Sequence, residues 1–593
     1  MLPEQLTIQD DFPPVTYDQW RATVEADLKG APFEKKLVTH TYEGIDIQPI
    51  YTRADAPAGA DPHGLPGTPP YVRGAIAAGA VATGWDLRQE HAHPDLVEAN
   101  KAILADLEGG VTSVLLRLDA SARGGRDPDA SDASEPDGLL AYRTQDLDAA
   151  LAGVHLDMAG AALDAGAAFL PAAAQLMALW RQRGVATENA TGALNADPIG
   201  VLAAEGALPC SAESALNQLS DLAAYTSQHL PRVAAITVNT APYHKAGATA
   251  AQDIAFGAAT GLEYLRALTA AGLSVDQAAG QMLFGMHIGT HHFLAIAKLR
   301  AARRVWDRVV EASGGSPSAA AMRIHARTSD RVLTHRDAHV NLLRNTVAVF
   351  AASLGGADTI TSAPFDHLVG LPTAQSRRVA RNTALILQEE AHLNRVIDPA
   401  GGSWFLDNLT DQLANCAWGA LQEIERQGGM LAALKSGWVA EQIDSAYAPR
   451  AKDIAVRKEG ITGVSEFPNV AETPVETPRA DAATLRGQAV QKAKQAQATG
   501  VEATTVDALI DAAAAGASIG QMAAALGFYQ QGEEIAPLEA RSFAEPFEQL
   551  RDASDVWLAK HGSRPLVFLA NLGPIAHHTA RATYSKNFFE AGG

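Results

Sequence analysis

Between residues 71 and 462, short apolar runs of strand length alternate with longer stretches of helical periodicity. This alternation narrows the possible folds more sharply than anything else in the sequence. Eight runs read as strands: 112–119, 154–160, 191–198, 233–240, 281–288, 322–329, 358–364 and 392–399. The gaps read as helices. PAAAQLMALWRQRG (171–184) begins at a proline and stops at a glycine, as helices tend to. HHFLAIAKLRAARRVWDRVV (291–310) carries apolar residues at three- and four-residue spacing, with basic residues on its other face. Such a series predicts an α/β chain, a (β/α)8 barrel of parallel strands with right-handed crossovers. The predicted strands carry Leu115, Leu116, Leu118, Met282 and Phe284, bulky enough to fill a barrel from within.

The remainder divides around the barrel. At 593 residues the chain exceeds one ordinary domain. Pro- and Gly-rich residues 51–70 read as a linker, 121–138 as a polar loop, and 463–482 as a second break. The expected domains are an N-terminal arm with linker (1–70), the barrel (71–462), a linker and helical region (463–562), and a final unit (563–593). That unit, LVFLANLGPIAHHTARATYSKNFFEAGG from Leu566, reads as a buried strand, a tight loop and a helix. A loop leaving the carboxyl end of a strand for a helix is where open α/β sheets bind cofactors. One strand and one helix make no sheet with a core. The expectation is therefore either a chain continuing beyond Gly593 or a fragment docked on another surface.

Charge and cysteine content exclude several functions. The formal net charge of −20 argues against nucleic acid or anionic membrane as the main partner. Cys210 and Cys416 make neither a disulfide framework nor a zinc site, so no metal is expected. The opening MLPEQLTIQDDFPPV is neither a signal nor a transit peptide, and the expected location is cytoplasmic. No G-x-x-x-x-G-K-[ST] phosphate loop occurs.

Several long blocks carry a resemblance. They are TYDQWRATVEADLKGAPFEKKLVTHTYEGIDIQPIYT from Thr16, YVRGAIAAGAVATGWDLRQEH from Tyr71, YHKAGATA from Tyr243, AIAKLRAARRVW from Ala295, LPTAQSRRVARNTALILQEE from Leu371 and RVIDPAGGSWFLDNLT from Arg395. The second fits R-G-x(10)-W-x-x-R-Q through Arg73, Gly74, Trp85, Arg88 and Gln89. In these blocks, spread over nearly the whole chain, the sequence resembles the methylmalonyl-CoA mutase family. The resemblance implies a coenzyme-A barrel with an N-terminal extension, a helical linker and the start of a flavodoxin-like cobalamin domain. Catalytic members interconvert methylmalonyl-CoA and succinyl-CoA by a radical rearrangement using adenosylcobalamin, which the protein binds, orients and shields.

The sequence departs from the family where chemistry needs it. A family tyrosine seven positions after the motif arginine is replaced by Ala80. The arginine that pairs with the substrate carboxylate falls on Asn217, which cannot form a bidentate charge-assisted bond. His244 is kept, in a loop two residues short and without its glutamate, and Arg327 in HARTS stands at a family glutamine. In the terminal loop the family's D-x-H-x-x-G histidine replaces the lower base on cobalt and is oriented by the aspartate. Here His577 is kept, but Ile575 replaces the aspartate, Ala580 the glycine and Asn571 the network lysine. All eight positions are expected to be vestigial, with no catalytic, cofactor-binding or metal residues of the chain's own.

The leading expectation is the small (beta) non-catalytic subunit of an adenosylcobalamin-dependent methylmalonyl-CoA mutase. It would form a heterodimer with a catalytic large (alpha) subunit that holds cofactor and acyl-CoA, and Trp20 in the N-terminal arm would help wrap that partner. The alternative is the catalytic barrel of a 2-hydroxyisobutyryl-CoA-type mutase served by a separate cobalamin-binding chain. A scaffold without mutase association is a third. The size and motifs of the copurifying partner separate them.

Overall fold

The computed structural model describes residues 14–59, 62–130, 136–495 and 501–593. Parts of the predicted arm (1–13), linker (60–61) and polar loop (131–135) therefore lie outside the described residues. Eight parallel strands close into a barrel: β1 (Asp86–His91), β2 (Ser113–Arg117), β3 (Gly160–Asp164), β4 (Gly192–Ala196), β5 (Val233–Asn239), β6 (Met282–Ile288), β7 (Arg323–Thr328) and β8 (Thr359–Thr361). Each strand neighbours the next in sequence, and β8 returns to β1 through Ile360 opposite Leu87. The major outer helices are α1 (Leu96–Glu108), α2 (Phe169–Gln182), α3 (Ala212–His229), α4 (Ala250–Ala270), α5 (His292–Ala312), α6 (Asn341–Leu354) and α7 (Ala374–Glu389). Two more, α8 (Trp404–Arg426) and α9 (Trp438–Ala455), follow, and α8 packs on α4 and α5.

Six of the eight expected strands form where the sequence placed them, and two do not. The run at 154–160 is a turn with Met158 exposed, and the strand begins only at Gly160. The run at 392–399 forms a 3₁₀ turn, Leu393–Arg395, with Val396 exposed and Asp398 at φ 47°. The strand absent from the expectation is β1. Its sequence, DLRQEH, is charged at alternate positions because those positions line the barrel bore rather than an apolar core. At the start of β4 the backbones crowd: a Cβ on Gly192 would sit 1.7 Å from the Ala161 carbonyl oxygen, at φ 146°.

Strand periodicity decides what fills the bore. Leu116, Leu118, Met282 and Phe284 join the main core beneath the outer helices. The expectation that they plug the barrel is therefore corrected: they face outward, and Phe284 packs edge-to-face against Trp306 of α5. Of that set only Leu115 lies in the small separate cluster with Ala162, Ala193, Ala234 and Leu283. The other bore residues are small, polar or charged.

Beyond the barrel, the chain from 463 to 481 has no regular structure, yet it is pinned. Val464 and Ser465 are fully buried, and Glu472 accepts a hydrogen bond from the Asp337 amide. Helix α10 (Val506–Ala514) packs on α2, and Thr144 donates to its Ala513 carbonyl at 3.0 Å. Helix α11 (Glu545–His561) follows. The expected buried strand at Leu566 is not formed. Residues 566–572 have no regular structure and Leu566 and Phe568 are each 90% exposed, because no described strand pairs with this segment. The helix expected after it is present as α12 (Ile575–Glu590). Among the described residues, no helix is long and apolar enough to cross a membrane.

Candidate functional site

Charge pairs made within the chain line the bore. At its N-terminal end Asp86 accepts from Arg88 (3.0 Å), Ser113 (2.9 Å), Thr112 (2.7 Å) and Thr359 (3.1 Å). These residues come from β1, from β2 or its leading edge, and from β8, so one carboxylate ties the barrel seam. Nearer the C-terminal end, Arg327 Nη2 of β7 lies 3.1 Å from Glu90 Oε2 of β1. Strand β8 alone separates those two strands, so the pair spans one side of the bore. The network continues from Arg327 to His367 (3.4 Å), to Asp330 (3.6 Å) and to Lys245 (2.7 Å). Burial pushes the Glu90 carboxyl up, but Arg327, His367 and Arg117 more than offset it and hold it below the usual carboxylate range. Asp330 is held well below that range, burial being outweighed by Arg327 and Lys245. His325, bonded to Thr361 at 2.8 Å, is kept neutral by burial and by Arg88 and Arg327.

His244 lies beside this network, in the short helix Ala241–Ala246 that follows β5. Its Nδ1 is 2.6 Å from Asp253 of α4 and its Nε2 is 2.8 Å from the Ser329 hydroxyl. Burial, then Arg331, lowers its pKa to about 3, against the opposing pull of Asp253. The neutral ring donates from Nδ1 to the carboxylate, so Nε2 accepts from Ser329. Lys298 of α5 holds the same Asp253 oxygen at 2.5 Å and also donates to the His287 carbonyl at 3.0 Å. An Asp–His–Ser relay is the geometry that activates a hydroxyl. Here, however, Ser329 is fully buried and the carboxylate is shared with a lysine. Both ring nitrogens of His244 are occupied by the chain itself, leaving neither free for a thioester carbonyl.

The remaining candidate positions do not gather here. Ala80 sits half-buried in a 3₁₀ turn ahead of β1. Asn217 is exposed on the outer helix α3. Asn571, Ile575, His577 and Ala580 are exposed around the start of α12. Among the described residues no carboxylate is bonded to His577, and no Asp, Glu, His or Cys cluster suits a metal. A cobalt-ligating imidazole needs a partner on its second nitrogen, so these residues do not fit a cobalamin.

Sequence reasoning missed the partners that Arg327 and His244 gather. Glu90 directly follows the Arg88–Gln89 pair, Ser329 ends HARTS, and Lys298 lies inside AKLRAARR. That last block is structural cement. Fully buried Arg300 bonds Asp407 at 2.8 Å, Asp398 at 3.2 Å and Thr410 at 3.0 Å, all three from RVIDPAGGSWFLDNLT. His63, deep in the supposed linker, reaches the same Asp407 at 3.2 Å.

A family model described as methylmalonyl-CoA mutase matches residues 40–536. The methylmalonyl-CoA mutase small subunit of Streptomyces virginiae is 41% identical over 601 residues, covering 100% of this chain and 85% of that protein. The small subunit of Propionibacterium freudenreichii subsp. shermanii is 37% identical over 501 residues, covering 82% and 74%. The methylmalonyl-CoA mutase of Escherichia coli K12 is 29% identical over 589 residues, covering 94% and 82%.

Proposed function

Because the chain belongs to the methylmalonyl-CoA mutase family, we propose that it is the small, non-catalytic subunit of a mutase interconverting methylmalonyl-CoA and succinyl-CoA. A larger catalytic chain supplies the working barrel and holds adenosylcobalamin, and the two form a cytoplasmic heterodimer. The observation that carries this reading is the Glu90–Arg327 pair within the bore. An acyl-CoA arm passing this side of the bore would displace it, leaving two largely buried charges without each other. His244, bonded at both nitrogens, supports the same conclusion. Helix Tyr17–Asp27, which carries Trp20 and buries none of its residues, supports an arm that wraps the partner.

The test is to tag this chain in its native cells, purify it and identify what copurifies. A larger chain carrying an intact D-x-H-x-x-G is the expected result. A small single-domain partner carrying that motif would make this chain the catalytic barrel and overturn the proposal.

A further inference from the structure

A cavity of about 570 Å³ opens at the C-terminal rim of the barrel, beside the His244 relay. Its walls are the N-terminal halves of α5 and α6, its roof is α9 with residues 459–462, and Phe543 closes one side. Two buried polar groups line it without partners. Arg331, 9% exposed, has no hydrogen-bond partner at Nε, and His287, 5% exposed, has none at Nδ1. The remaining hydrogen bonds of Arg331 go to the carbonyls of His244 (2.7 Å) and Ala248 (3.0 Å), and its guanidinium lies 4.9 Å from the Phe543 ring centroid. Among the described residues it has no carboxylate partner, whereas Lys298 is matched by Asp253 and Arg450 stands 3.8 Å from Glu459.

A guanidinium desolvated without an anion is costly, and a carboxylate meeting it with charge-assisted bonds offsets that cost. Leu294, Val347, Ile454 and Ile461 give the cavity its apolar surface, and the carboxylates that also line it have partners of their own: Asp253 on Lys298 and His244, Glu459 on Arg450, and Glu43 on the Ala250 amide. Pockets of this make-up take ligands with one anionic end and an apolar body. We infer that this cavity binds a small carboxylate with an aliphatic or aromatic body, its carboxylate on Arg331 and its body against α5, α6 and α9. The roof and Phe543 belong to segments C-terminal to the barrel, so an occupant clamps those segments to the barrel rim. The inference rests on Arg331 and the apolar wall, not on the Glu90–Arg327 pair, and the same cavity is lined by His244, Asp253 and Lys298 of the relay described above and by His287 of β6.

Calorimetric titration of the full chain with hexanoate, hexan-1-ol and inorganic phosphate tests it. Hexanoate should bind saturably, with hexanol and phosphate each weaker by about tenfold or more, since each lacks one half of the recognition. Arg331→Met should weaken hexanoate by about tenfold or more, the worth of a charge-assisted bond. Val347→Phe should also abolish binding, by filling the cavity while leaving Arg331 in place, and its circular dichroism should match the parent. No saturable hexanoate binding, hexanol binding as tightly as hexanoate, or hexanoate binding untouched by Val347→Phe would each overturn the assignment.

Discussion

Replacing Glu90 by glutamine keeps the shape of the side chain and removes the charge facing Arg327. Removing one partner of a buried pair typically costs about 3–5 kcal/mol, because the other charge stays buried and alone. Two features reduce that here. The side chains of Glu90 and Arg327 keep 12% and 18% of their exposure, so water reaches the bore, and Asp330 and Asp164 still act on Arg327. The expected loss for Glu90→Gln is therefore about 2–3 kcal/mol, and Arg327→Gln should lose a similar amount. In the double variant neither charge is stranded, so the two losses should fall short of additive by about 1–2 kcal/mol. Urea unfolding followed by tryptophan fluorescence reports this well, because buried Trp85 immediately precedes β1. The coupling is read from midpoints at unchanged slope. Single variants costing less than about 0.5 kcal/mol, or a double variant equal to their sum, would refute a bore pair that stabilises the fold.

Three further outcomes are expected. Burial holds both His91 and His244 at a pKa of about 3 when folded. The unfolded chain takes up those protons first as pH falls below about 6.5, so stability is present above that pH and is lost progressively down to pH 3. Each histidine removes about 2 kcal/mol between pH 7 and pH 5. Unfolding midpoints across that range check this, and a flat profile contradicts it. Arg300→Met should cost about 3–5 kcal/mol by stranding Asp398 and Asp407; Arg300→Lys should recover only part, since an ammonium cannot fork between two carboxylates. Equal melting temperatures for Arg300→Lys and the parent would count against the fork. His577→Ala should leave turnover of the assembled mutase intact, as steady-state kinetics would show; collapse of turnover with the complex still formed would mean the terminal loop retains a role.

The barrel was legible where strands are apolar on the face that meets the helices. Runs such as VAAITVN and MLFGMHI announce themselves by composition. DLRQEH does not, because its inward residues pair with polar groups distant in sequence: Arg88 with the Ser113 hydroxyl, Glu90 with Arg327. A periodicity argument reads such a strand as loop, since its alternation is polar on the face that usually signals burial. The same cause misdirected the bulky residues. Leu116 and Phe284 were visible as core, but which core depends on register, and one residue's shift reverses the face. Of the candidate positions, Arg327 was visible as a departure from a family glutamine, although its partner was not. His244 was named, while Asp253, Ser329 and Lys298, which occupy its two nitrogens or their partner, arrive from three other elements. At the terminal loop the loss of the orienting carboxylate was legible in full, because ligand and partner lie two residues apart, at His577 and Ile575. The strand expected before it was not, because a strand forms only with neighbours that a local reading does not consult.

The most direct test of a subunit that supports chemistry performed elsewhere is to titrate the purified chain with adenosylcobalamin, first alone and then after addition of the large chain, following the visible spectrum. The account predicts that the cofactor spectrum stays unchanged with this chain alone and shifts only when the partner is present. A tight, stoichiometric shift with this chain alone would contradict it.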